Sequence, residues 1–446
     1  MTTKRHVNWT NRSVTAFAKD ADPLDAIKEA AQALVLEARE SGWEGPPFNP
    51  IYLAQMLGVQ VEANSSVADA RLAETEDGPK IEFNPRQVRE RVRFSIAHEV
   101  AHLLFADWNE QIRNRATTRV GGDDWQLEML CNLAASEFVL PIGSLDASST
   151  VPPLPELMQQ RRLFDVSTEA FLLRLARVAS QPIGVFFASP IAATGRSRRY
   201  RVDYYVSSPT ASRVKISRRN VPPDSVIQKC TAIGHTDYAI EDWVVGSPTV
   251  LECVGVPAYP RGGVYPRVAA LVRFEISTED LPRVRFLHGD VLHPGGSAPR
   301  FLCQLVNDRA KKWGGGVARK VAHRFPRAEV EFSDSLFRVP RGERLGSVIY
   351  SRATDDITVA SMIAQEGFGP SLLPRIRYAA LERCLKSVAA RALAEKASIH
   401  MPRIGTGAAG GDWATIEEML DDAVVRAGLS VTVYDPPPPR QQFELF

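Results

Sequence analysis

Five consecutive residues, His98-Glu99-Val100-Ala101-His102, restrict this chain more than any other feature. On a helix, residues four apart share a face, so both imidazoles can address one metal ion. Glu99 then stands where it can take a proton from a water on that metal. The flanks suit a helix: Phe94-Ser95-Ile96-Ala97 and Leu103-Leu104-Phe105 are mostly apolar and contain no Gly or Pro. The bland alternative is a core helix that happens to carry two histidines. It leaves unexplained why three ionisable groups fall within five positions of an apolar helix.

A zinc site of this kind needs a third protein ligand. Of the eight histidines only His6 precedes the pair, and the next one after it is His235. A third histidine a few residues downstream is therefore absent. The nearby carboxylates are Asp107, Glu110, Asp123, Asp124, Glu128 and Glu137. The segment from Asp124 to Ala135 reads as a second amphipathic helix stopped by Pro141, with Glu128 and Asn132 on one face. Glu128 would complete a His, His, Glu set with one position open. On spacing alone it is equally well a solvated helix charge.

At 446 residues the chain has room for about three domains. A net charge of +2 argues against nucleic-acid binding driven by overall charge. The cysteines (131, 230, 253, 303 and 384) are odd in number and scattered, which points to a reducing compartment rather than a disulfide framework. No run of about 18 apolar residues occurs. A cytoplasmic protein with no membrane span and no signal peptide is expected.

The expected fold class is multi-domain, α+β followed by α/β. Residues 1–180 read mostly helical, opening with a helix from Asp25 that ends near Gly42. Residues 181–282 are β-rich, with runs such as Tyr200 to Val206, Thr249 to Val254 and Val268 to Phe274, and carry no motif tied to chemistry. From 283 to 435 strands and helices alternate, the pattern of an α/β sheet. Residues 436–446 form a proline-rich linker and a terminal peptide.

Within this α/β region a pair of glycine-rich loops each follow a strand and precede a helix: Trp313-Gly314-Gly315-Gly316-Val317, and Gly405-Thr406-Gly407 continuing to Gly410. Glycine lets backbone N–H groups approach a diphosphate, and the following helix N-terminus adds a favourable dipole. Gly289-Asp290 stands at the end of a third strand. The alternative is that these glycines only permit tight turns.

The stretch from about Ile51 to Pro141 resembles the ImmA/IrrE family of zinc metallopeptidases. The matching pieces are Leu53 to Val59, the hairpin-like Ala70-Arg71-Leu72 with Ile81 to Asn84, Phe94 to Leu104, and Glu128-x-x-Cys131-Asn132-x-x-Ala135 running into Val139-Leu140-Pro141. The resemblance implies a helical, zincin-like domain with His98, His102 and Glu128 as Zn2+ ligands and Glu99 as general base. Cys131 stands where that family usually has alanine. The implied chemistry is peptide hydrolysis, with a transcriptional regulator as the typical protein substrate. No oxyanion-stabilising residue is identified; Tyr52 is the only tyrosine before Tyr200.

Residues from about Val284 to Asp435 resemble a macro domain, the ADP-ribose-binding fold, and most closely the branch of the terminal ADP-ribose protein glycohydrolase. The resemblance implies ADP-ribose contacts from Asp290, Asn307, Gly314, Gly315, Gly316, Val317, Gly405, Thr406, Gly407 and Gly410. The catalytic lysine and aspartate of that branch align with Ala322 and Ala409, while Lys320 and Asp412 are displaced. Binding is therefore expected, and cleavage is left open. The tail Gln442-Phe443-Glu444-Leu445-Phe446 resembles the pentapeptide with which bacterial proteins dock on the DNA sliding clamp; Gln442, Phe443, Leu445 and Phe446 would make that contact.

The leading expectation is a cytoplasmic zinc endopeptidase coupled to a macro domain that reads ADP-ribose or an ADP-ribosylated macromolecule. One rival makes the macro domain an ADP-ribosyl hydrolase or phosphatase, with the N-terminal region as a targeting module. Another is a binding-only ADP-ribose scaffold.

Overall fold

The computed structural model describes residues 8–110, 123–146, 150–191, 199–217, 219–259, 265–275, 281–309 and 311–436. The tail residues Gln442, Phe443, Leu445 and Phe446 lie outside the described residues. The chain divides into two compact units. One comprises Met1–Val35, Glu44–Pro141 and Leu145–Asp280, and the other Leu36–Trp43, Ile142–Ser144 and Leu281–Phe446. The β-rich middle region thus shares a compact unit with the helices that precede it.

In the first unit, α1 (Arg12–Ala18), α2 (Pro23–Glu40) and α3 (Pro50–Met56) lead into a three-stranded sheet of β1 (Gln60–Ala63), β2 (Ala70–Thr75) and β3 (Gly78–Phe83), in the order β1-β3-β2. β2 and β3 form the expected hairpin, and β1 pairs parallel to β3. β2 is therefore an edge strand. The two expected site helices follow as α4 (Arg89–His102) and α5 (Asp124–Val139). They bury Ala97, Val100 and Ala101 on α4, and Leu130, Cys131, Ala134 and Ala135 on α5. The small side chains among them, Ala97, Ala101, Cys131, Ala134 and Ala135, let the helices approach closely, which brings the polar groups between them into contact.

After α6 (Leu154–Phe164) and α7 (Thr168–Val178), five strands form an antiparallel sheet: β4 (Ile183–Ile191), β5 (Arg199–Ser207), β6 (Thr236–Glu241), β7 (Thr249–Val256) and β8 (Arg267–Arg273). Their order is β5-β4-β8-β7-β6. Phe186, Tyr200, Trp243, Leu251 and Val272 are among the residues that build its core. The buried Glu252 accepts the Leu154 N–H at 2.6 Å and pairs with Arg273 at 2.6 Å, tying the start of α6 to the sheet. A charge this buried persists because it is both paired and hydrogen-bonded.

The second unit carries a six-stranded sheet in the order β11-β12-β10-β13-β14-β9. The strands are β9 (Val284–His288), β10 (Arg300–Asn307), β11 (Val348–Arg352), β12 (Ile357–Gln365), β13 (Ser398–Pro402) and β14 (Val431–Asp435). Every pairing is parallel except β11 with β12. The carboxyl ends of β9, β10, β13 and β14 therefore share one edge of the sheet, where ligands of α/β folds collect. Among the described residues four α-helices accompany it: α8 (Gly316–Arg324), α9 (Pro326–Arg338), α10 (Tyr378–Glu395) and α11 (Trp413–Leu420), the last running into a π-helical turn over Asp421–Val425. Among the described residues no helix is long and apolar enough to cross a membrane.

Candidate functional site

The first site is built where α4 crosses α5. His98 and His102 project from one face of α4, with their Nε2 atoms 3.2 Å apart. Glu128 enters from α5, its Oε2 3.0 Å from His98 Nε2 and its Oε1 3.8 Å from His102 Nε2. One ligand atom from each of these three residues lies within 4.8 Å of the other two. Of the six carboxylates near the motif, packing selects Glu128 for this cluster.

Each ring is oriented from behind. His98 Nδ1 meets Asn132 Oδ1 at 3.0 Å, and His102 Nδ1 meets Cys131 Sγ at 3.3 Å. An amide oxygen can only accept, so it fixes a proton on Nδ1 and leaves the Nε2 lone pair of His98 pointing inward. Two ring nitrogens and a carboxylate thus converge, and a shared cation, a proton or a metal ion, relieves their repulsion. The His98 pKa reflects this: burial pushes it down, the Glu128 hydrogen bond and the charges of Glu99 and Glu128 push it up, and the net displacement is upward. Two imidazoles and one carboxylate suit a divalent ion of the zinc type, and metal binding would displace the proton.

Glu99 is buried, and its Oε2 accepts the Leu72 N–H from edge strand β2 at 2.9 Å. That bond holds the carboxylate beside the cluster and ties α4 to the strand. Leu72 and the orienting role of Cys131 are contributions the linear spacing does not reveal. Cys131 looks like a small filler in sequence, and only the helix crossing puts its sulfur against His102.

The second site is a cavity of about 940 Å³ at the carboxyl edge of the six-stranded sheet. Asn307, Gly314, Gly315, Gly316, Val317, Gly405, Thr406 and Gly407 all line it. A Cβ added at Gly314, Gly315, Gly316 or Gly407 would meet nothing within 4 Å, so packing alone does not require glycine there. Those positions keep the cavity open to whatever enters. Gly316 and Gly405 both have positive φ, +54° and +77°, and at Gly405 a Cβ would also sit 2.9 Å from the terminal methyls of Ile376 and Ile416. Here the fold itself demands glycine. Gly315 caps α8 without a side-chain bond, leaving the first N–H groups of that helix to a ligand.

Two expected contacts do not line the cavity. Asp290 follows β9 on the same sheet edge, but its carboxylate turns back on its own loop, accepting the Leu292 N–H at 3.0 Å and meeting His293 Nδ1 at 3.2 Å. Gly410 closes the second loop, its N–H bonded to Gly407 O at 2.9 Å. Of the displaced pair, Asp412 caps α11 by accepting from Thr415 N at 2.9 Å and Thr415 Oγ1 at 2.6 Å. Lys320 is exposed on α8 and also stands outside the lining. The cavity adds groups the sequence pattern does not single out: Arg309, Lys311, Lys312, Arg403 and Phe368. The glycines on either side of Phe368 are the available signal.

No family model matches the chain. The chain is similar to the mouse chromodomain-helicase-DNA-binding protein 1-like, 29% identical over 169 residues, which is 36% of this chain and 19% of that protein. It is 24% identical over 147 residues to an ADP-ribose 1''-phosphate phosphatase of Lodderomyces elongisporus, covering 31% of this chain and 91% of that one. Among solved structures it is similar to a macrodomain protein from Streptomyces coelicolor, with 31% identity over 34% of this chain and 99% of that chain and a TM-score of 0.30. The chain spans under a fifth of the length of the first curated relatives it matches.

Proposed function

From the premise that about a third of this chain, at its C-terminal end, belongs to the macro-domain family, we propose that its second unit binds ADP-ribose or an ADP-ribosyl group. The carrying observation is the cavity lined by both glycine loops, four of whose glycines face open space. Backbone N–H groups at the start of α8 and in the Gly405–Gly407 loop would hold the diphosphate, with Arg309, Lys311 and Lys312 balancing its charge, since Arg403 is paired with Asp435 at 2.6 and 2.9 Å. Asn307, whose Oδ1 accepts the Arg309 N–H at 3.0 Å, faces the same space. No carboxylate or histidine is among the lining residues, so the cavity offers no evident acid–base pair for cleavage. This favours recognition over hydrolysis. Titration calorimetry of the full chain with ADP-ribose tests the reading, and absence of heat removes it. Free ADP-ribose released from an ADP-ribosylated protein would replace recognition with hydrolysis.

A second activity is favoured by one specific observation, the convergence of His98, His102 and Glu128 beside a buried, anchored Glu99. We propose metal-dependent peptide hydrolysis there. His98, His102 and Glu128 would hold the ion, which when bound supplies Lewis acidity. Asn132 and Cys131 keep the rings in register. Glu99, held by the Leu72 N–H, accepts the proton of the attacking water and later delivers it to the leaving amine. In this scheme the macro domain would direct the hydrolase to ADP-ribosylated proteins, a transcriptional regulator being the substrate expected from the sequence. Zinc analysis of the purified protein, and cleavage by wild type beside Glu99→Gln, test it. Cleavage unaffected by that substitution would end the peptidase reading.

A further inference from the structure

The first unit contains another cavity, of about 610 Å³, that no step of the proposed chemistry has used. Its walls come from α4, α5, α6, α7 and the end of β7. Phe94, Val139, Met158, Val166, Ala170 and Ile233 give it an apolar lining.

Its position relates it to the metal cluster. Phe94 lies four residues before His98 on the same face of α4, about 6 Å along the axis. On α5, Val139 continues the stripe of Glu128, Asn132 and Ala135, at spacings of four, three and four residues. On α4 the cluster and the cavity wall are thus one turn apart, while on α5 they are separated by about 16 Å of helix. Phe94 is only partly buried, and Ile233 is 64% exposed. Apolar groups left in water around a concavity mark a binding surface.

Charged groups share the wall: Glu90, Arg91, Arg161 and Arg162 also line the cavity, and the Arg161 guanidinium pairs with Glu90 at 3.6 Å and donates to the Val166 carbonyl.

We infer that this cavity is a specificity pocket, which receives a large apolar side chain of the polypeptide whose backbone lies at His98, His102 and Glu128. The inference rests on the peptidase reading and adds the substrate class: proteins cut next to leucine, methionine or an aromatic residue rather than next to small or charged ones.

The test uses the full chain loaded with zinc and a proteome-derived peptide library, with cut sites read by mass spectrometry. At one fixed position near the cut, large apolar residues should be favoured over alanine roughly tenfold or more, as for added methylenes in an apolar pocket. Ala170→Phe fills the pocket and should bring that preference to about threefold or less on the same scale. Ile233→Trp, at an exposed rim position, narrows the mouth and should act in the same direction even if Ala170→Phe folds poorly. Binding supplies a readout independent of turnover. Glu99→Gln protein should bind a leucine-containing library peptide roughly tenfold tighter than its alanine counterpart, and Ala170→Phe should erase the difference. Cleavage with no side-chain preference, or a preference that survives both variants, overturns the pocket and leaves the peptidase reading standing. Zinc-loaded protein that cuts nothing overturns both.

Discussion

Gly405→Ala isolates what the second glycine loop owes to the fold. At φ +77° an L-residue has its Cβ too near the following carbonyl, which costs about 1–2 kcal/mol. The new methyl would also stand 2.9 Å from Ile376 Cδ1 and 2.9 Å from Ile416 Cδ1. Both isoleucines are fully buried, so neither has free space to turn into. Overpacking of that kind costs about 1–3 kcal/mol. The sum is about 2–5 kcal/mol, and near its centre the Tm of a unit of this size falls by about 10 °C. Differential scanning calorimetry of the full chain reads this as a shift of the second unit's transition. Gly407→Ala is the matched control: it lines the same cavity, has no positive φ, and its Cβ meets nothing within 4 Å. It should hold stability to within about 0.5 kcal/mol while lowering ADP-ribose affinity. If Gly405→Ala melts within about 2 °C of wild type, the claim that backbone conformation and packing impose glycine there is wrong.

Three further outcomes are expected. Asn132→Ala removes the acceptor that orients His98 and should weaken zinc binding by about 10–100-fold in a chelator competition, with Cys131→Ala acting in the same direction through His102. Gly315→Val should abolish ADP-ribose binding by calorimetry while leaving thermal stability near wild type, because the side chain enters open space in the cavity. The pH dependence of the second unit should show two opposed contributions. Burial lowers His400 to about 4, so stability is lost as pH falls from 6.5 toward 4, where the unfolded chain binds the proton and the folded one does not. Burial, with the charges of Glu417, Asp422 and Glu418, raises Asp421 to about 7, so stability is lost as pH rises from 3.8 toward 7. Asp421→Asn should therefore stabilise the unit at pH 7 and above, and the gain should vanish near pH 4 in denaturant titrations. A gain that does not change with pH refutes the assignment.

Much of the secondary structure is legible in the sequence because the apolar period changes cleanly along it. The strands at 284–288, 300–307, 357–365 and 398–402, and the helix at 378–395, lie in the region where the sequence leads one to expect strands and helices to alternate. Strand β6 is not anticipated by such patterns. Its Tyr238 and Ile240 are 74% and 71% exposed, so the strand has no buried alternating face to signal it. Helix α9 also carries no sequence expectation, although Ala328, Phe332 and Leu336 follow the helical period and are buried. At the sites, the glycine loops are legible because their residues are local. Asp290 shows the limit of such reading: its short-range bonds to Leu292 and His293 turn its carboxylate toward its own loop.

The four-residue spacing of His98 and His102 and the glycines of both loops were determined by sequence alone, because helix pitch and backbone freedom are local properties. Tertiary structure decided which carboxylate joins the imidazoles, why Cys131 is more than filler, and that an edge-strand N–H holds Glu99. It also formed both cavities. Those outcomes depend on how segments tens of residues apart pack against one another, and no local pattern encodes that distance.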